Sequence, residues 1–291
     1  MKLSLIIPAK DKNDPKLKEL IESIESQEFP KSEIELLVIT EGTSESAKAI
    51  GIKQAKGRVI GILASDNELI DSSFLSNMYE ACLKYESAYP NHYYYTEQDD
   101  ALNRYFALIG GNDPLAYYMK KNDRAPYFDS HRLNTIGSIG DNGYFVLKSA
   151  IMMTDLDNYY HIDNAIEAGT HVHIVKLPIW HKTGGDIVKF FKKRFHYGLQ
   201  HAFNSNRRWH LVDFKRKEDI CRLLWFLIAS LTIIPTLCLS LRGYLKIRDV
   251  AWFLHPIVCL ATIFTYGILM LHLGLRKMYQ LLSAPMVGVK A

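Results

Sequence analysis

The sequence predicts an α/β catalytic domain followed by membrane-associated apolar helices, and two observations carry this prediction. Across the first hundred residues, short apolar runs alternate with amphipathic stretches, which is typical of a mostly parallel sheet with helices on both faces. Near the carboxyl end, 19 residues at 223–241 and 26 residues at 250–275 carry no charge. With 48% hydrophobic residues over 291 positions, the composition excludes a disordered or fibrous chain.

The predicted elements follow each other in a regular order. Residues 3–7 are apolar throughout and predict a strand, and Asp14 and Pro15 then supply the N-cap and first turn of a helix to about residue 27. The further predicted strands are 35–39, 59–63, 93–95, 143–147 and 171–176, and the further predicted helices are 44–55, 71–85 and 158–168. Residues 100–140 lose this rhythm, so we expect an irregular functional segment there.

In an open α/β sheet, ligands bind beyond the carboxyl ends of the strands. Three segments occupy such positions, and they hold the candidate ligand-binding residues Pro8, Ala9, Lys10, Asp11, Glu41, Ser65 and Asp66. A carboxylate at a strand end can accept hydrogen bonds from a nucleotide base or hold Mg²⁺ or Mn²⁺ beside two phosphates. Capping and turn formation are the structural alternative for Glu41 and Asp66.

Several familiar sites are missing from the sequence. There is no Gly-x-Gly-x-x-Gly motif after the first strand and no Walker loop, which removes the main support for dinucleotide binding. The four cysteines show no Cys-x-x-Cys spacing that would indicate zinc or redox work. Residues 182–217 hold ten Lys or Arg against two Asp, but no nucleic-acid recognition motif accompanies this charge, so we expect no nucleic-acid partner.

Three motifs, in this order and at this spacing, resemble the inverting family 2 glycosyltransferases, which have the GT-A fold. They are LIIPA at 5–9, LVITEGTS at 37–44 and AKAIGIKQAKGRVIGILASD at 47–66. The resemblance covers roughly residues 3–210 and implies transfer of a sugar from a nucleoside-diphosphate sugar, with UDP favoured over GDP. Two positions depart from the family pattern: Thr40 replaces the first of two paired acids, and Ala64 replaces the first Asp of the metal motif.

The resemblance also implies roles for later residues. GDNG at 140–143 resembles the acceptor-side loop, which assigns Asp141 and Asn142 to that side, and HIDN at 161–164 places the catalytic base at Asp163. A carboxylate in hydrogen-bond reach of the acceptor hydroxyl suits direct displacement. A helix-start acid is the structural alternative for Asp163.

The same family resemblance extends into the basic segment. His181 lies where the family often has a His near the diphosphate, so the resemblance implies Asp66 and His181 as the ligands of Mg²⁺ or Mn²⁺. His181 could also be a hydrogen-bond donor there, and a packed or solvated histidine is the structural alternative. FFKKRFHYG at 190–198 resembles the basic-aromatic helix of membrane-associated members. This run could cradle the diphosphate, with Lys193 and Arg194 on that side, or rest at the lipid headgroups with its aromatic residues inserted. A solvated helix face is the structural alternative.

The expected organisation is a GT-A domain at 1–181, a basic-aromatic juxtamembrane segment at 182–219, and two hydrophobic membrane helices with a tail at 220–291. Each uncharged run is long enough to cross a bilayer, although buried core helices are the alternative and Pro235 and Pro256 leave a re-entrant arrangement open. The apolar start ends at Pro8, too short for a signal peptide, so we expect a cytoplasmic catalytic domain on the cell membrane.

The expected activity is therefore hexosyl transfer to a lipid-linked acceptor. The acceptor is either a glycan on a polyprenyl diphosphate or polyprenyl phosphate itself, as in a polyprenyl-phosphate sugar synthase. The alternative from another class is a non-catalytic membrane scaffold that keeps the fold.

Overall fold

The computed structural model describes residues 1–124, 139–168, 172–182, 185–202 and 208–283. Its strands are Leu3–Pro8 (β1), Ile34–Ile39 (β2), Val59–Ile62 (β3), Asn67–Leu69 (β4), Ser87–Tyr94 (β5), Tyr144–Leu147 (β6) and His173–His181 (β7). Its helices are Pro15–Glu25 (α1), Ser44–Gln54 (α2), Phe74–Tyr85 (α3), Ala101–Ile109 (α4), Pro114–Met119 (α5), Lys148–Ile151 (α6), His161–Ala168 (α7), Ile187–Ala202 (α8), Lys217–Thr232 (α9), Ile234–Lys246 (α10) and His255–Ser283 (α11).

The strands form one mixed sheet in the order β2-β1-β3-β6-β5-β7-β4. The pairs β1–β2, β1–β3 and β5–β7 are parallel, whereas β6 runs antiparallel to both β3 and β5, and β4 runs antiparallel to β7. The expected mostly parallel sheet is therefore corrected to a mixed one. The physical reason is that the chain enters β6 from the carboxyl edge of β3, where the N–H of Gly143 donates to the carbonyl oxygen of Ile62 at 3.0 Å.

The first helices begin where the sequence predicts them. The Asp14 side chain accepts a hydrogen bond from the N–H of Lys16 at 3.0 Å, with Pro15 in the first turn of α1. At α2, Thr43 and Ser46 cap each other's backbone N–H groups in a capping box. The helix predicted at 158–168 begins later, at His161, and the strand predicted at 171–176 runs on through Pro178 to His181.

Helices cover both faces of the sheet, as expected. Alternate side chains of β1 point to opposite faces, so Leu3 and Leu5 pack with α1 and α3, while Ile6 packs with α2 and α7. These side chains are fully buried, which makes the sheet a rigid platform for the loops at its edges.

The expectation of an irregular segment at 100–140 is wrong for its first part. Residues 101–119 form α4 and α5, while residues 125–138 lie outside the described residues. The polar and glycine residues that suggest a loop are helix ends: Asp100 and Asp113 cap the two helices, and Gly110 ends α4 with φ +75°. Loop-like composition here reflects two short helices placed close together.

The C-terminal helices pack against this inserted pair. One cluster joins Tyr105 and Phe106 of α4 to Trp252, and another joins Met119 of α5 to Phe226 of α9. These contacts join the C-terminal helices to α4 and α5, and the boundaries expected at 181 and 219 stay predictions.

The first uncharged run does not form the straight spanning helix that its length predicts. It is divided between α9 and α10, whose axes differ by 88°. Ile233 at the bend has φ +63°, and Pro235 follows in the first turn of α10. Within the described residues, the segment Val250–Arg276 is the one helical stretch that is long and apolar enough by itself to cross a membrane, and 22% of its most apolar window is buried.

Candidate functional site

Four polar residues meet at the carboxyl edge of β3. Asp66 follows β3, and Asn67 opens β4 directly after it. Asn142 lies just before β6, and His181 ends β7, paired in register with Asn67. Antiparallel pairing of β4 with β7 brings His181 to Asp66, and antiparallel pairing of β6 with β3 brings Asn142 there.

Asp66 and His181 form the centre of this group. Nε2 of His181 lies 3.3 Å from Oδ1 of Asp66, and the Asp66 side chain is 20% exposed. Burial is the largest single influence and raises the pKa of the Asp66 carboxyl, but His181, Lys193 and Lys16 together lower it. The net pKa lies below the ordinary value, so Asp66 is an anion at neutral pH.

A chain of side-chain amides lies behind His181. Nδ2 of Asn67 donates to Oδ1 of Asn142 at 3.0 Å, and Nδ2 of Asn142 lies 3.0 Å from the Tyr93 hydroxyl and 3.4 Å from Nδ1 of His181. Both amides are buried. His181 is therefore held on both of its ring nitrogens.

Asp141 belongs to a second, adjacent group centred on Lys48. The ammonium of Lys48 lies 2.9 Å from Asp141 and 3.1 Å from Glu45, and the Lys48 side chain is only 2% exposed. Burial raises the pKa of Asp141, but Lys48, His161 and His181 together lower it, so the net pKa lies below its ordinary value. His161 donates its backbone N–H to Glu45 at 2.8 Å, and burial followed by the charge of Lys48 lowers the pKa of His161 to about 4.

Sequence reasoning missed Lys48, Glu45 and Arg124. A lysine at a buried position of α2, three residues after an acid, was the available signal for the first two. The guanidinium of Arg124 lies 3.5 Å from the Tyr89 ring centroid and 4.8 Å from that of Tyr93, and it donates to the carbonyl oxygen of Asn142. Arg124 therefore holds the backbone of Asn142 in place. No local pattern in the sequence indicates this contact.

The expected donor-binding residues line the neighbouring strand ends. The N–H of Ala9 donates to the carbonyl oxygen of Ile39 at 2.9 Å, so Pro8 and Ala9 are part of the sheet edge. Lys10 and Glu41 are exposed, and Ser65 is half-buried. Because β2, β1 and β3 are adjacent and parallel, these residues share one edge with Asp66.

Asp11 has a local structural contact at the same edge. It is exposed, and its carboxylate accepts the N–H of Asn13 at 2.9 Å. This contact shapes the turn before α1.

The other expected site residues are Asp163, Lys193 and Arg194, and each has its own surroundings. Both carboxylate oxygens of Asp163 accept backbone N–H groups, from Arg208 at 2.8 Å and Trp209 at 2.7 Å. Arg194 pairs with Asp113 at 3.3 Å and donates to the carbonyl oxygen of Asn112 at 2.7 Å. On the same helix, Lys193 is exposed and its charge acts on Asp66. The structure thus brings Lys193 toward the acidic centre and joins Arg194 to the start of α5.

Few side chains are available to a cation. Among the described residues, no group of three or more His, Cys, Asp or Glu side chains could hold a metal ion. Asp66 and His181 are the two expected ligands at the strand edge, so any ion there would take most of its ligands from substrate and water.

Comparison with solved structures finds glycosyltransferases of remote similarity. No protein-family model matches the chain, and no curated protein matches it either. The structure of S. aureus TarS 1-349 in complex with UDP-GlcNAc is 13% identical with a TM-score of 0.42, and the match covers 92% of this chain and 90% of that chain. The mannosyltransferase PcManGT from Pyrobaculum calidifontis, in complex with GDP-Man and Mn²⁺, is 9% identical with a TM-score of 0.46, covering 92% and 87%.

A longer S. aureus TarS structure is matched over 78% of this chain but only 43% of its own length, so this chain spans less than half of that protein. At 12% identity and a TM-score of 0.39, this likeness is also remote. These remote similarities do not establish the function of this chain. The function is therefore argued from the residues of its own site.

Proposed function

We propose that this protein is a metal-dependent, inverting glycosyltransferase that moves a sugar from a nucleoside-diphosphate sugar, with UDP-sugars favoured, to a polyprenyl-linked acceptor. The observation that carries the proposal is the Asp66 carboxylate, ionised at the carboxyl edge of the sheet, with the charges of Lys193 and Lys16 acting on it. An anion beside cations at this edge suits a diphosphate accompanied by a divalent ion.

The residues present fit Mg²⁺ or Mn²⁺. These ions prefer oxygen ligands and often bind through one or two carboxylates plus substrate phosphates and water, so the single carboxylate of Asp66 is a sufficient anchor. When bound, the ion would offset the charge that develops on the departing diphosphate. Lys193 would approach the same phosphates from α8.

Binding of the nucleotide falls to the neighbouring strand ends. The exposed carboxylate of Glu41 would accept a hydrogen bond from a base N–H, which uracil and guanine both carry. Residues 8–11 and Ser65 would line the nucleoside and ribose. On the other side, Asp141 and Asn142 would face the acceptor, with Asp141 held in place by Lys48 at 2.9 Å.

Asp163 would act as the general base. Each of its oxygens accepts one backbone N–H, which leaves a second lone pair on each for an acceptor hydroxyl. Asp163 would take the proton of the acceptor hydroxyl while that oxygen bonds to the anomeric carbon from the face opposite the diphosphate. The bond from the anomeric carbon to the diphosphate would break in the same displacement, which would invert the configuration.

We further propose a lipid-linked acceptor and a location on the cell membrane, with the catalytic domain in the cytoplasm. In the candidate spanning segment Val250–Arg276, 22% of the most apolar window is buried. A groove of about 510 Å³ between α8 and α11 is apolar and includes Phe191 and Phe264, with Lys192 at its side. Because the next residue, Lys193, acts on Asp66, a hydrocarbon chain in this groove would carry its phosphate toward the active edge.

The test is a donor screen with the full chain in detergent. UDP- and GDP-sugars, each labelled in the sugar, are offered with a lipid extract and Mn²⁺, and transfer of label to the organic phase is measured. Asp66→Asn should lower Mn²⁺-dependent turnover by about a hundredfold or more without changing thermal unfolding. The control is Asp157→Asn, because the Asp157 side chain is 87% exposed. Undiminished transfer by Asp66→Asn would refute the proposed role, and absence of turnover with every donor would favour the non-catalytic scaffold.

A further inference from the structure

We infer that His181 acts as a positioning residue that donates Nε2–H to Asp66, and that Asn67 and Asn142 fix this tautomer. In this arrangement His181 is not a ligand of the ion. The inference rests on the proposed function for its catalytic meaning, whereas the hydrogen-bond arrangement itself can be measured without substrate.

The arrangement starts from a backbone group whose polarity is fixed. The N–H of Ala64 donates to Oδ1 of Asn67 at 2.9 Å. A backbone N–H can only donate, so the oxygen of the Asn67 amide must face it and the Nδ2 group must point away. That Nδ2 group donates to Oδ1 of Asn142 at 3.0 Å.

The orientation of Asn142 then decides the proton position on His181. With its oxygen facing Asn67, Asn142 turns Nδ2 toward the Tyr93 hydroxyl at 3.0 Å and toward Nδ1 of His181 at 3.4 Å. An amide nitrogen only donates, so Nδ1 must accept, and the neutral ring carries its proton on Nε2. Asn67 and Asn142 are 1% and 5% exposed, which leaves little room for water to replace these contacts.

The protonated Nε2 faces Oδ1 of Asp66 at 3.3 Å. A histidine that binds a metal ion through Nε2 needs a lone pair there and commonly donates its other N–H to an acceptor. In this site both requirements fail, because Nδ1 faces the donor group of Asn142. The N–H of His181 therefore orients the Asp66 carboxylate, whose other oxygen is left for the ion.

Two variants of His181 distinguish a positioning role from a role as a metal ligand. His181→Gln keeps an N–H donor of similar reach, and His181→Leu removes it. We expect Mn²⁺ affinity, measured by calorimetry on the full chain in detergent, to change less than about threefold in His181→Gln. His181→Leu should weaken it by about tenfold, in the range found for lost outer-shell partners. Asp66→Asn should abolish it.

The tautomer is read directly by ¹⁵N NMR of the histidine rings, with His181→Gln assigning the signal. The wild type should show the Nε2–H form without metal. Asn142→Asp places an acceptor opposite Nδ1, so it should switch the ring to the Nδ1–H form and tighten Mn²⁺ about tenfold by freeing a nitrogen ligand. Asn77→Asp, an exposed change on α3, controls for the added charge and should alter neither reading.

Two results would overturn the inference: an Nδ1–H tautomer in the wild type, or a loss of Mn²⁺ affinity in His181→Gln as large as in Asp66→Asn. If the wild type binds no Mn²⁺, the metal dependence of the proposed function fails. The NMR signal of His181 still decides the tautomer in that case, so the two failures are distinguishable.

Discussion

Replacing Lys48 by Met tests the charged group beside the candidate site. The Lys48 side chain is 2% exposed, and its ammonium lies 2.9 Å from Asp141 and 3.1 Å from Glu45. Met keeps much of the apolar stem of the lysine but removes the charge, which leaves two carboxylates without their shared cation. We therefore expect a large loss of stability from a nearly isosteric change.

The magnitude follows from the exposure of the partners. Breaking a fully buried pair costs about 3–5 kcal/mol. Asp141 and Glu45 keep 33% and 22% of their side-chain surface exposed, so water can partly replace Lys48. The expected cost is therefore about 2–3 kcal/mol at pH 7, below the fully buried range.

The stability lost in Lys48→Met should become smaller as the pH falls. In the wild type, Lys48 holds the pKa of Asp141 below its ordinary value, so this contribution to stability is present above the unfolded pKa of ~3.9 and is lost as pH falls through the folded value. Without Lys48, burial raises the folded pKa of Asp141, so the variant gains relative stability as this carboxyl becomes protonated. The difference between the two proteins should narrow from pH 7 toward pH 4.

The assay is unfolding of the full chain in detergent at several pH values, with Lys53→Met as the matched control. Lys53 lies on the same helix and pairs with Asp157 at 2.6 Å, but the two side chains are 50% and 87% exposed. Its loss should change stability by less than about 0.5 kcal/mol. A cost for Lys48→Met below ~1 kcal/mol at pH 7, or one that does not change with pH, would refute the reasoning.

Three further outcomes follow from the site and the C-terminal helices. Asp163→Asn should lower sugar transfer per folded molecule by about a hundredfold or more, because an amide cannot take the proton. It should also lower the free energy of unfolding by roughly 1–3 kcal/mol, because the amide can accept only one of the two backbone N–H groups. A destabilised but fully active variant would show that Asp163 has only a structural role. Glu41→Ala should weaken UDP binding about tenfold by calorimetry without affecting unfolding, since Glu41 is exposed; an unchanged dissociation constant would reject the contact. Alkaline carbonate washing should leave the chain in the membrane pellet, and its release would show that Val250–Arg276 does not span.

Local sequence was enough to place Asp66 and Glu41 at strand ends. An apolar run followed by a polar turn predicts where a strand stops, and both residues lie within a few positions of that point. The caps at Asp14 and Thr43 were readable for the same reason, because capping depends on residues only a few positions apart.

Local sequence patterns do not predict the partners of Asp66, and only the family resemblance placed His181 at the same site. His181 reaches Asp66 because β7 pairs with β4, and Asn142 joins them because β6 enters the sheet against its neighbours. These pairings join residues 75 or more positions apart, and hydrophobic periodicity does not encode which strands meet or in which direction.

Short-range spacing and composition are enough to predict the alternating strands and helices, the acidic strand ends and the apolar character of the carboxyl-terminal quarter. The burial of Lys48 between two acids, and the 88° angle between α9 and α10 in place of one span, arise from long-range packing. A lysine on an amphipathic helix has the same local pattern in solvent and in a polar core. The difference lies in long-range packing, which brings Asp141 to within 2.9 Å of its ammonium.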